Sequence, residues 1–258
     1  MLGIFSPLSN IFRGAYYFAR MLTSPKRRGF YAAHFLNSVE GQTVWRSFDR
    51  FASLDSSREL LGSMPSSGAL LSDRAVLGAG AADTLGHIYL DFMISTGFSS
   101  DYISGLAEMF SRLRSEDEQR AWFRRHVAVA HDLRHVISGY GATPRGEYCN
   151  LCFTFGQTGH PGVACLAMLA AAHVLAGGDL GFLRAGLEAF RRGRGSTLID
   201  LLPWELCLGV PLATCREALG LRPPKHFADH IGPNAYGAEG ASARIDSVQR
   251  LAAVLAPA

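Results

Sequence analysis

No stretch of this chain combines the length and the apolarity that a membrane crossing needs. The longest apolar run, 163–178, is interrupted by His173 and falls short of the roughly 20 residues that span a bilayer, so it reads as a buried helix. Charge of one sign is also scarce. A formal net charge of +3 over 258 residues is too small to make nucleic acid the main partner. Period-two alternation of apolar and polar residues is rare, which removes the usual signature of half-buried strands. No repeat of 20–50 residues recurs, which argues against a solenoid. Five cysteines, Cys149, Cys152, Cys165, Cys207 and Cys215, make an odd number inside apolar, helix-like segments. They read as reduced thiols rather than a disulfide framework, and a reducing compartment follows. A secretory signal is not expected either, because the basic residues Lys26, Arg27 and Arg28 follow the apolar N-terminal stretch instead of preceding it.

What is present is helical periodicity. A hydrophobic content of 48% with 18% charged residues suits a folded globular chain with a sizeable core. Apolar residues recur at spacings of three and four over 30–53, 74–94, 101–113, 116–139, 146–156, 162–176 and 179–193, with Ser/Gly/Pro stretches between them. The expected fold is all-α, a single helical domain. Residues 4–22 form a further expected helix, with Ile4, Phe5, Leu8, Ile11, Phe12, Ala15 and Phe18 largely on one side. That side suits either the domain's own core or a membrane surface. The organisation that follows is an N-terminal apolar and basic segment over 1–40, a helical domain over 41–222, and a Pro/Gly-rich tail over 223–258 with one last helix at 242–255.

The stretch 131–147 reads HDLRHVISGYGATPRGE. Two histidines four residues apart lie on one helical face, about one turn from each other, which is how a helix presents two imidazoles to one cation. Asp132 flanks that face. The helix should stop near Gly139, and the turn through Gly141 and Pro144 should return the chain so that Glu147 lies over the histidines. From spacing alone two outcomes stay open. His131, Asp132, His135 and Glu147 either converge on a metal, with zinc, iron and manganese all compatible, or they decorate the surface, Asp132 and Glu147 pairing with Arg134 and Arg145. Cys149 and Cys152 form a CxxC without a second pair and read as small helix residues. His126 reads as part of a basic surface, His173 as a core histidine, and Arg191, Arg192 and Arg194 as cations suited to a helix C-terminus.

The gapped motif HDLRH, eleven residues, then Glu147 resembles the HDxxH-x11-E signature of the coenzyme Q (ubiquinone) biosynthesis family Coq four. Further blocks resemble that family in order: LGHIYLDFM (85–93), GEYCNLCFTFGQTGHP (146–161) and WELCLGVPLATCREALGL (204–221). The resemblance spans about residues 45–222. It implies an all-helical fold and a divalent ion, zinc foremost with iron or manganese as alternatives, held by His131, Asp132, His135 and Glu147. No catalytic residue is expected beyond these ligands. It also implies a metal-dependent oxidative decarboxylation at ring carbon 1 of a polyprenylated hydroxybenzoate, or a non-catalytic lipid-binding scaffold among the ubiquinone enzymes. The expected partners are a polyprenylated aromatic lipid, other ubiquinone-biosynthesis enzymes, a membrane surface touched peripherally, and a second copy as a homodimer. The expected location is the cytoplasmic face of a bacterial inner membrane, or the matrix side of the mitochondrial one. A phosphohydrolase of the HD type fits less well, because it needs a separate upstream histidine and a distant aspartate.

Overall fold

The computed structural model describes residues 7–227 apart from 98, 99, 115, 177 and 179. Ile4, Phe5 and the expected helix at 242–255 lie outside them. Among the described residues there are fourteen α-helices, two short 3-10 turns and no strand, so the expected all-α class holds. Two helices open the chain, α1 (Pro7–Thr23) and α2 (Arg28–Val39), and fold back on each other as a hairpin. The long helix expected over 30–53 is broken. Gly41 takes a left-handed conformation at φ 58°, which favours a residue without Cβ, and a separate α3 (Thr43–Ala52) follows. Two short helices come next, α4 (Asp55–Ser63) and α5 (Ser67–Ser72). The segment expected as one helix over 74–94 is also two, α6 (Arg74–Gly78) and α7 (Leu85–Thr96).

The second half places the centre of the molecule. After α8 (Ser100–Arg114) comes α9 (Glu118–Ser138), whose N-terminus is capped by the Asp117 carboxylate accepting from Arg120 N at 2.9 Å. It ends as expected at Gly139, which adopts φ 83° and donates to His135 O. Beyond it run α10 (Pro144–Thr158), α11 (Pro161–Ala176), α12 (Leu180–Arg194), α13 (Trp204–Cys207) and α14 (Leu212–Ala218). The larger core cluster wraps α9 with Leu85, Tyr89 and Phe92 of α7, Phe153 of α10, Ala189 of α12 and Leu212 of α14. A smaller cluster joins Phe51, Leu60, Trp122, Phe123 and Leu201.

Helices α10 and α12 cross backbone to backbone. A Cβ on Gly156 would stand 2.3 Å from Phe190 O, and one on Gly193 2.1 Å from Phe153 O, so both positions must lack a side chain. The end of α9 is held from two sides. Arg216 of α14 donates to the carbonyls of Val136 and Ile137, and Arg192 of α12 donates to Ser138 O at 3.1 Å. Arg192 was expected to serve its own helix terminus; the close α10–α12 packing instead delivers it to the C-terminal carbonyls of α9.

Helix α11 corrects a second expectation. It is apolar all round, yet among its apolar side chains whose burial is described only Val163 and Ala167 are buried, while Met168, Leu169 and Leu175 are exposed. His173 lies on that exposed side rather than in a core, because α11 touches α10, α12 and α2 along one flank and nothing among the described elements covers the other. No described helix is long and apolar enough to cross a membrane.

Candidate metal centre

The turn between α9 and α10 brings the histidine face and Glu147 together. Thr143 caps α10 by accepting from Gly146 N at 3.1 Å, and Pro144 occupies the first helical turn, where a missing N–H costs nothing. Gly146 lets the chain close tightly, since a Cβ there would sit 1.8 Å from Gly141 O. The result is a group of three donors, His131, His135 and Glu147, whose ligand atoms all lie within 4.8 Å of one another. The two imidazole rings are 5.1 Å apart between centroids, inclined at 69°.

Each imidazole has one nitrogen already engaged. His135 Nδ1 is 2.8 Å from the carbonyl of Tyr140, which fixes the proton on Nδ1 and leaves Nε2 as the donor to a cation. That Nε2 is buried, makes no hydrogen bond, and lies 3.5 Å from Glu147 Oε1. His131 Nδ1 is 3.1 Å from Asp132 Oδ1, so its Nε2 is the free nitrogen. The Phe92 ring stacks on His135 at 5.7 Å and shields it from water. Asp132 does not join the three-donor group. It is buried against His131, and its second oxygen, Oδ2, has no hydrogen-bond partner.

Two buried polar atoms have no hydrogen-bond partner: His135 Nε2, within the three-donor group, and Asp132 Oδ2, on the carboxylate that meets His131. Burying such atoms unpaired costs free energy that a bound cation would recover. The donor set therefore fits a divalent ion. His135 is fully buried, whereas the side chains of His131 and Glu147 are 43% and 38% exposed, so the cluster opens on one side only. Electrostatics follow the same lines. Burial would lower the pKa of His131, but the hydrogen bond and charge of Asp132, with Glu147 behind, outweigh it and raise the value. Burial would raise Glu147; the two imidazoles overcome it and hold its carboxyl below the ordinary range.

The arginines are engaged elsewhere. Arg134 is hydrogen-bonded to Asp200 in the interior, and the Arg145 guanidinium lies 5.3 Å from the centre of the Phe182 ring. Cys149 is buried and Cys152 half-buried, both as free thiols in α10. His126, expected at a basic surface, is instead fully buried. Its Nδ1 pairs with Glu205 Oε1 at 2.8 Å and its ring stacks on Trp204 at 5.3 Å. Neither the Tyr140 carbonyl nor the Arg216 clamp is readable as a site feature in sequence. A backbone carbonyl leaves no residue signature, although Arg216 does fall within the stretch WELCLGVPLATCREALGL.

The family model described as coenzyme Q (ubiquinone) biosynthesis protein Coq4 matches residues 18–225. A solved structure from Nostoc punctiforme PCC 73102, described as a ubiquinone biosynthesis protein, is similar in fold, with a TM-score of 0.58 and 17% identity. The similarity covers 83% of this chain and 99% of that one. No curated protein sequence matches this chain. With the family model covering most of the chain and all of α9 and α10, the chain belongs to the coenzyme Q (ubiquinone) biosynthesis protein Coq4 family and takes part in ubiquinone biosynthesis.

Proposed function

We propose that this protein is a metal-dependent enzyme that acts on a polyprenylated hydroxybenzoate, releasing the carboxylate at ring carbon 1 as carbon dioxide and placing a hydroxyl there, a two-electron oxidation with dioxygen as the oxidant. The observation that carries the reading is the one-sided exposure of the donor cluster. His135 is sealed, while His131 and Glu147 face outward, an arrangement suited to a catalytic ion with positions left for substrate. His131, His135 and Glu147 would hold the ion, joined or oriented by Asp132. Zinc is the first candidate, with iron and manganese next. The bound cation would supply Lewis acidity toward a carboxylate or phenolate oxygen.

The chain's own groups prepare that position. Tyr140 O keeps the proton of His135 on Nδ1, Asp132 orients His131, and Phe92 excludes water from the sealed side. The exposed apolar flank of α11, with Met168, Leu169 and Leu175, suits one wall of a site for the prenyl tail. We place the protein peripherally at a membrane, on the cytoplasmic face of a bacterial inner membrane or the matrix side of a mitochondrial one, together with other ubiquinone-biosynthesis enzymes and as a homodimer.

One observation favours a second reading. The Oδ2 of Asp132 has no hydrogen-bond partner, and a turn of that carboxylate toward His131, His135 and Glu147 would add a fourth protein ligand, which around a tetrahedral ion would leave no open position, as in structural sites. The protein would then be a scaffold that presents the prenylated intermediate. Incubating the metallated protein with a prenylated hydroxybenzoate and oxygen separates the two. Ring-hydroxylated product, abolished in Glu147→Ala, supports the enzyme; tight lipid binding without turnover leaves the scaffold.

A further inference from the structure

Helix α1 is apolar on both sides. Its inner face, Gly14, Tyr17, Phe18 and Met21, packs on α2. Tyr17 stacks on His34 at 4.5 Å, Phe18 meets Phe35 at 5.2 Å, and a Cβ on Gly14 would press on Val39 at 2.9 Å. The sequence pattern put Phe18 on the same side as Ile11 and Phe12, but the α2 contact takes Phe18 inward and leaves the others outside. Ile11 is 63% exposed, Phe12 73%, Tyr16 58% and Leu22 47%. With Ala15 and Ala19, also exposed, these residues occupy an arc of about 140° on a wheel of 3.6 residues per turn. Arg20 and Arg13 border the arc on the Tyr16 side.

The charge around this face has one sign. Residues 1–39 contain Arg13, Arg20, Lys26, Arg27 and Arg28 and no aspartate or glutamate. Where α1 turns into α2, a hollow of about 440 Å³ is lined by Lys26, Arg27, Gly29 and Phe30. Its chemistry, cations beside an aromatic ring, suits an anionic headgroup above an acyl chain. The hairpin is fixed to the body at its far end, where Glu40 takes a two-point hydrogen bond from Arg124 (3.0 and 3.0 Å) and a contact from Arg114 at 3.1 Å. The exposed flank of α11 lacks the second half of this pattern, having no Lys or Arg within its length.

We infer that the α1–α2 hairpin is the element that docks this protein on an anionic phospholipid bilayer, with Phe12, Tyr16 and Ile11 entering the interface and Lys26 and Arg27 holding headgroups. This deepens the membrane placement proposed above, on which it rests, by naming the element and the lipid charge. The hairpin lies in the interface plane and does not cross it.

The test is flotation of the full-length protein with vesicles of phosphatidylcholine alone or with one quarter phosphatidylglycerol, no prenyl substrate being present. Wild type should float with the anionic vesicles, and more weakly as salt rises. Because each surface cation is worth about fivefold, Lys26→Gln with Arg27→Gln should lower anionic partitioning about 25-fold and leave neutral vesicles unaffected. Phe12→Ser with Tyr16→Ser should lower both by tenfold or more, with an unchanged helical circular dichroism spectrum. Variants that fold and bind like wild type would overturn the hairpin while leaving the membrane placement standing. Wild type that floats with neither vesicle would overturn both. A halved mass in light scattering for Phe12→Ser with Tyr16→Ser would assign the face to a second copy and overturn the lipid inference.

Discussion

The guanidinium of Arg216 lies against the last turn of the helix that carries His135, donating from Nε to Ile137 O at 2.8 Å and from Nη2 to Val136 O at 2.6 Å. The side chain is almost fully buried. A cation there satisfies carbonyls that end a helix without intrahelical partners and complements the helix dipole.

Replacing Arg216 should therefore destabilise the fold. Arg216→Met removes charge-assisted hydrogen bonds and strands two buried carbonyls, a loss of about 3 kcal/mol. Arg216→Lys, with one point charge and no planar fork, should recover only part of it. Urea unfolding measures both, and a change below about 1 kcal/mol for Arg216→Met would refute the clamp.

Asp132→Asn keeps the shape beside His131 and removes the charge. Metal affinity should fall about 10- to 100-fold, as for other groups that orient a ligand histidine, and more if Asp132 itself ligates. Competition with a chromophoric chelator gives the affinity; an unchanged value would remove Asp132 from the centre.

Metal binding should be coupled to proton release. Asp132 and Glu147 keep His131 protonated to a pH above its ordinary value, and the ion has to displace that proton. Apparent affinity should rise with pH and level off only above the raised His131 value. Calorimetry in two buffers of different ionisation enthalpy counts the protons. In the metal-free protein the sign reverses. The raised pKa contributes stability that is full below about pH 6.5 and lost as pH rises through the folded-state value.

The thiols should be sluggish. Burial pushes Cys149 and Cys215 up to about 12 and Cys152 to about 11, and raises Cys207 as well. None is a thiolate near neutrality, so the CxxC is not a working redox pair. Ellman's reagent at pH 8 should leave these four unmodified until guanidinium is added. Rapid labelling of Cys149 in the folded protein would contradict this.

Much of this centre was legible because it is local. His131, His135, Gly139, Pro144 and Glu147 lie within seventeen residues, and helix period, a C-terminal glycine and a proline start suffice to bring them together. The breaks at Gly41 and around Gly80 were not legible, since apolar spacing continues across both. Helices α4 and α5 are short and serine-rich, with little periodicity to read. The burial of His126 depends on Glu205, 79 residues away, and a pairing at that distance leaves no mark in a local pattern. The exposure of α11 shows the opposite failure. Uniform apolarity signals burial, but here the described neighbours cover one flank only.

The glycine crossing of α10 and α12 also limits how the centre can move. With Gly156 against Phe190 O and Gly193 against Phe153 O, the helix bearing Glu147 meets backbone stops and cannot slide by a turn without breaking the contact. Any change in how Glu147 meets an ion, from one carboxylate oxygen to two or to none, is then a rotation of its own side chain. Such a carboxylate shift belongs to the picosecond-to-nanosecond motion of rotamers rather than to slower helix displacements. Sliding of α10 along α12 is therefore not the motion by which Glu147 would adjust to a ligand.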